Sequence, residues 1–208
     1  IADFCSHYPD RLYGAAHISL IDVDAAILEL KRITKLGLKT VMMTPFPANG
    51  KAYGDTYYDP FWTVAQDLQI PVGLHVVARP DFHGSKWYDH TTFHGSPVYF
   101  LTVTLGFDIQ ASFVSMIEGG TLERFPRLKL LVLEVGAGRV PHFIERMDSK
   151  WEHSDFMTAC KRPPSEYFRR QVWVGADVDE SMIAPAGARW GSDKFFWSTD
   201  FPNFDGFP

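Results

Sequence analysis

Short apolar runs alternate with stretches of helical spacing along this 208-residue chain, and few folds are open to such an alternation. The runs are residues 11–19, 38–44, 70–77, 127–134, 172–176 and 195–199. They are rich in β-branched and aromatic side chains, as buried strands are. Between the first two, residues 25–36 place Ile27, Leu28, Leu30 and Ile33 on one helical face. Asp22 and Asp24 suit the start of that helix, because its first N–H groups and its dipole attract negative charge. Gly37 closes it. Residues 61–68, 98–123, 140–151 and 179–186 read as further helical segments, with 98–123 forming one helix or two. Residues 3–10 read as the end of a helix followed by the turn Tyr8-Pro9-Asp10. Residues 79–97 read as a long loop carrying His83, His90 and His94.

Six strands alternating with helices imply an α/β fold with a parallel sheet. A doubly wound sheet should open an early helix with G-x-G-x-x-G; Gly136-Ala137-Gly138 comes nearest and lacks the third glycine. Each run instead ends in a polar residue or loop that can face one centre, as at the carboxyl end of a (β/α)8 TIM barrel. Six units are two short of closure and would leave two sheet edges open. The 208 residues are therefore expected to be one partial barrel domain, with a further N-terminal segment in the natural chain.

The charge balance narrows the partners. A net charge of −5 with no basic run gives no footprint for nucleic acid or an anionic membrane. No window approaches the roughly 20 apolar residues of a membrane span, and the first residues do not resemble a secretory signal. Cys5 and Cys160 lie far apart with no partner motif, so they read as reduced thiols of a cytoplasmic protein. A small-molecule substrate remains the expected partner.

The strand ends contribute Thr44, His75, Glu134, Asp177 and Asp200. Asp200 follows the apolar run Phe195-Phe-Trp-Ser-Thr directly, and Pro202 then stops regular pairing; the competing role is a turn or cap aspartate. His75 interrupts Pro71-Val-Gly-Leu-His-Val-Val77, as a metal ligand or as a core histidine bonded to backbone. Imidazole and carboxylate on separate barrel strands suit a divalent zinc, manganese or iron ion, which lowers the pKa of bound water to about 7. Glu134 precedes Val-Gly-Ala-Gly and can serve as ligand, general base or partner to a bound histidine, or else as a helix-capping carboxylate. His83, His90 and His94, with Asp81 and Asp89, match no strong metal spacing and read as a solvated loop, the competing role being a substrate-facing lid histidine. His142 and His153 read as surface groups, and no G-x-S-x-G elbow is present.

These residues together resemble the amidohydrolase-related ("amidohydrolase 2") family, which includes aminocarboxymuconate semialdehyde decarboxylase. The resemblance covers nearly the whole chain. It rests on the order of Pro9-Asp-Arg-Leu12, Pro71-Val-Gly-Leu-His75, Gly119-Gly-Thr-Leu-Glu-Arg-Phe-Pro126, Leu133-Glu-Val-Gly-Ala-Gly-Arg-Val-Pro141 and Trp197-Ser-Thr-Asp-Phe-Pro202. It implies a (β/α)8 barrel with one divalent metal, usually zinc, and a homodimer. It implies His75 as the fifth-strand ligand and Asp200 as the eighth-strand ligand. The six runs would then be strands three to eight, and the first-strand H-x-H ligands are absent from these residues. Glu134 stands where the family's decarboxylases carry a catalytic histidine, which places the chain nearer a branch with an E-x-G-A-G pattern. Arg139 and Asn203 replace a Trp and a His common there.

The expected activity is that of a metal-dependent hydrolase or non-oxidative decarboxylase of a small aromatic or cyclic carboxylate. His75 and Asp200 are the expected metal ligands, with Asp200 and Glu134 as the catalytic carboxyl groups. Two other readings compete: a barrel that has lost catalysis and serves as a binding module, and a metal-free phosphate-binding barrel. The second would need a glycine-rich turn late in the chain, for which Asp205-Gly206 is the sole candidate.

Overall fold

The computed structural model describes residues 1–77, 97–154, 159–203 and 206, and for positions 97–101 and 103–105 it describes the backbone alone. Each apolar run supplies a strand: β1 (Ala15–His17), β2 (Thr40–Met43), β3 (Val72–Leu74), β4 (Leu130–Val132), β5 (Val172–Asp177) and β6 (Phe195–Ser198). All neighbours pair in parallel and in the order β1-β2-β3-β4-β5-β6. Successive crossovers of one hand between strands laid in sequential order put every helix on the same face of the sheet. A doubly wound sheet would reverse its order at a switch point, and this one does not. The architecture is an α/β barrel segment of six strands among the described residues.

Register explains the core. Val41, Val72, Leu130 and Val172 are partners in one row, and Met43, Leu74, Val132 and Val174 in the next. All eight are buried beneath the helical layer. After a short first helix, α1 (Ala2–Ser6), that layer contributes Leu30 and Ile33 from α2 (Val23–Lys35), and Phe61, Trp62 and Ala65 from α3 (Asp59–Asp67). It also contributes Ile109, Phe113 and Met116 from α4 (Pro97–Glu118). The alternate residues Thr40, Met42, Leu131, Trp173 and Phe196 face the other way and are only half-buried. That second face is the barrel interior.

Helix starts follow local chemistry. Asp22 caps α2, its Oδ1 accepting from the Ala25 N–H at 3.0 Å, and Gly37 takes a left-handed φ of 81° just past its end. The segment expected as one helix or two resolves into α4 and α5 (Thr121–Arg124), separated by Gly120 at φ 75°. Next come α6 (Val140–Trp151) and α7 (Pro164–Gln171). The latter has no counterpart in the sequence reading. Pro164 starts it because proline's missing N–H costs nothing in a first turn, and the Asp148 carboxylate accepts from the Ser165 N–H at 2.9 Å.

The final helix corrects the expectation of 179–186: α8 runs Ile183–Trp190. A helix begun at 179 would place Pro185 in its interior, where it removes a hydrogen bond and clashes with the preceding turn. Starting at Ile183 keeps Pro185 in the first turn and leaves Glu180 outside the helix. The runs themselves shorten to strands of 3 to 6 residues. Among the described residues no helix is long and apolar enough to cross a membrane.

Candidate active site

The parallel strands all point the same way, so their carboxyl ends lie at one rim, where loops are free to present side chains. His75 follows β3 directly, and its backbone N–H bonds to the Met43 carbonyl at 3.2 Å, which continues the ladder to the rim. Its Nδ1 lies 2.8 Å from the Val76 carbonyl oxygen. A carbonyl can only accept, so Nδ1 donates to it, and Nε2 is the ring nitrogen left to face Glu134. The core-histidine alternative thus describes one ring nitrogen, while the other remains available for chemistry.

Glu134 meets that nitrogen, its Oε2 lying 3.6 Å from His75 Nε2. The backbone of Glu134 has φ 57°, and Asp200, one residue past Thr199 beyond β6, has φ 51°. Both carboxylates therefore sit in the left-handed region that side chains other than glycine's seldom occupy, and such conformations persist where the surroundings impose them. Glu134 also lies close enough to the Asp200 side chain for the two carboxyl groups to act on each other. Burial, reinforced by the neighbouring Asp200 and Asp177 carboxylates, pushes the Glu134 carboxyl up to about 7, against the opposing pull of His75. Glu134 caps no helix, since the N-cap residue of α6 is Arg139.

The structure thus unites His75, Glu134 and Asp200 and brings Asp177 into the same electrostatic neighbourhood. Thr44 does not join them. Its hydroxyl donates to the Phe46 carbonyl at 3.0 Å and its own carbonyl accepts from the Tyr53 hydroxyl at 3.0 Å, so it shapes the loop after β2. Arg139 is engaged elsewhere too, donating from Nη2 to the Thr102 carbonyl of α4 at 3.1 Å. His142 and His153 are exposed. His83, His90, His94, Asp81, Asp89 and Asp205 lie outside the described residues.

One residue of the rim escaped the sequence reading. Glu180 accepts from the backbone N–H groups of Ala137, Gly138 and Asp177, at 2.9, 2.9 and 3.0 Å. An acid three residues after a strand end is common, and only the fold brings it against the glycine turn more than forty positions earlier.

As a metal site the donor set has the right chemistry and is incomplete. A neutral imidazole nitrogen beside carboxylate oxygens suits manganese, iron or zinc. Among the described residues, however, no three His, Cys, Asp or Glu side chains are grouped so as to hold an ion by themselves.

Comparison with known proteins places the fold in a family. The gamma-resorcylate decarboxylase of Rhizobium radiobacter is 27% identical over 214 residues, covering 97% of this chain and 63% of that protein. The 2-amino-3-carboxymuconate-6-semialdehyde decarboxylase of Dictyostelium discoideum is 27% identical over 208 residues, covering 97% and 54%. A crystal structure of a dihydroxybenzoic acid decarboxylase from Polaromonas sp. JS666, with bound manganese and the inhibitor 2-nitroresorcinol, superposes with a TM-score of 0.79 at 23% identity. It covers 98% of this chain and 63% of that one. The chain therefore spans less than two thirds of the length of these relatives. The family model described as Amidohydrolase (Amidohydro_2) matches residues 1–207, and this chain belongs to that family.

Proposed function

We propose that this chain carries part of the centre of a metal-dependent, non-oxidative decarboxylase of small aromatic carboxylates. The observation that carries the reading is the convergence of His75, Glu134 and Asp200 at the carboxyl ends of β3, β4 and β6, with His75 Nε2 3.6 Å from Glu134. The decarboxylases among its relatives supply the reaction class. His75, through Nε2, and Asp200 would hold the ion, with the remaining ligands drawn from other parts of the protein. Manganese is the first ion to test, because the Polaromonas structure holds it; zinc, expected from the resemblance, is the second. Such an ion supplies fixed positive charge that binds and polarises the oxygen atoms of a substrate.

The chain's own groups account for the proton. Protonated Glu134 would give its proton to the ring carbon that bears the carboxylate, forming a C–H bond. The C–C bond then breaks, its electron pair returns to the ring, carbon dioxide leaves, and Glu134 regains a proton from solvent. Hydrolysis is the second reading, favoured because a glutamate occupies the place of the decarboxylase histidine; as a carboxylate, Glu134 would then take a proton from water.

The test uses the complete protein: metal analysis, and carbon dioxide release from a panel of hydroxybenzoates. About one divalent ion per chain is expected. His75→Ala and Asp200→Ala should lose both ion and turnover. Glu134→Gln should keep the ion and lose roughly 10²–10⁴-fold in kcat. Wild-type kcat in Glu134→Gln would end the acid assignment, and cleavage of an amide or lactone without carbon dioxide release would move the protein to the second reading.

A further inference from the structure

Glu180 lies three residues past the end of β5, and its carboxylate holds three backbone N–H groups, two from the turn after β4 and one from the end of β5. Oε1 takes the Ala137 and Asp177 N–H groups at 2.9 and 3.0 Å, and Oε2 takes that of Gly138 at 2.9 Å. The first and third of these belong to the short 3₁₀ turn Ala137–Arg139, only three residues after Glu134. The other belongs to the last residue of β5.

The intervening backbone has little support of its own. Glu134 has φ 57° and Gly136 φ 76°, so two residues out of three turn left-handed with no helix or strand ladder to fix them. Glycine at 136 and 138 also lets the carboxylate and the following turn come close. A Cβ on Gly136 would stand 3.4 Å from Glu180 Oε2, and one on Gly138 would stand 2.9 Å from the Met182 Cβ. Hydrogen bonds from backbone N–H to an ionised carboxylate are short and strong. A single side chain therefore ties the turn that aims Glu134 to the strand that delivers Asp177.

We propose that Glu180 is a positioning residue, which acts through Glu134 by fixing the 134–138 turn against the end of β5. The inference rests on Glu134 being the working acid of the site. Glu180→Gln is nearly isosteric but replaces one acceptor oxygen by an NH₂ group that would face an N–H, so at least one of the three bonds is lost.

The experiment joins two readouts on the complete protein. In steady-state decarboxylation, Glu180→Gln should lower kcat by roughly 10–100-fold, the range for partners that orient a working group, with KM within about threefold of wild type. In a crystal structure of the same variant, the Glu134 carboxyl should move away from His75 Nε2, lengthening the 3.6 Å separation. An unchanged separation overturns the proposal whatever the rate, and an unchanged kcat in a wild-type enzyme that turns over does so too. If the wild-type protein decarboxylates nothing in the panel, the functional reading fails, and the separation still decides whether Glu180 positions Glu134. Should Glu180→Gln not fold, Glu180→Asp, which keeps the charge but shortens the reach, is judged by the same separation and kcat.

Discussion

A buried carboxyl beside two other carboxylates is an expensive thing for a protein to keep, and Glu134 shows how it is managed. Its side chain is 21% exposed, the His75 imidazole lies 3.6 Å away, and Asp200 and Asp177 are near enough to act on it. Burial, with the nearby carboxylates, holds the folded-state pKa near 7, against 4.5 for the ordinary group. The raised value fixes a sign. Below pH 4.5 folded and unfolded chains both hold the proton; between 4.5 and 7 only the folded chain does, so stability falls as pH rises through that window. The fall is up to about 3 kcal/mol for a shift of this size. Urea titrations of the metal-free protein should show it, and in Glu134→Gln it should disappear, leaving the variant more stable than wild type above pH 7 and little different at pH 4.5. An equally steep decline in the variant would assign the pH dependence to other groups.

At the scale of elements, two joints hold the layer of helices in place. Asp22 caps α2 through the Ala25 N–H, and Asp22→Ala should lower the unfolding free energy by about 1 kcal/mol. The second joint is the contact between Gly54, in the turn before α3, and the end of α4. A Cβ at Gly54 would run into the Ser115 carbonyl, and one at Gly119 would run into the backbone of Gly54. Arg124 closes this joint, donating to both Asp59 carboxylate oxygens at 2.9 and 2.8 Å and to the Gly119 carbonyl at 2.5 Å. Since backbone meets backbone, no rotamer change relieves an added methyl. Gly54→Ala should therefore cost about 1–3 kcal/mol, seen as a lower urea midpoint with an unchanged m-value.

At the scale of the whole molecule, β1 and β6 have no partner on their outer sides among the described residues. The interior face offers half-buried Met42, Leu131, Trp173 and Phe196, and Trp197 on β6 is 69% exposed. Unpaired strand edges beside apolar surface recruit other chains. The 208-residue chain by itself should accordingly show concentration-dependent association in sedimentation velocity and bind an apolar dye. A dye-silent monomer across the micromolar range would contradict the exposed interior. In the complete protein, binding of the ion should raise stability by about 2.7 kcal/mol at a hundredfold excess over Kd, lost on chelation and absent in His75→Ala.

Much of this was written in the chain in local form. Apolar runs, turn residues and the Asp22 cap act over a few positions, so the six strands, the (β/α) barrel architecture and the strand-end placement of His75, Glu134 and Asp200 could be read from sequence. Their convergence could be expected only because parallel strands share one rim. The start of α8 was legible in principle, since Pro185 cannot sit in a helix interior. What needed the folded chain were relations between distant positions that leave no periodicity: the left-handed turns at Glu134 and Asp200, the engagement of Thr44 by its own loop, and the grip of Glu180 on backbone N–H groups forty residues away. A backbone N–H is the same at every residue, so no pattern of side chains announces which carboxylate will hold it. Only the register of β4 against β5 decides that.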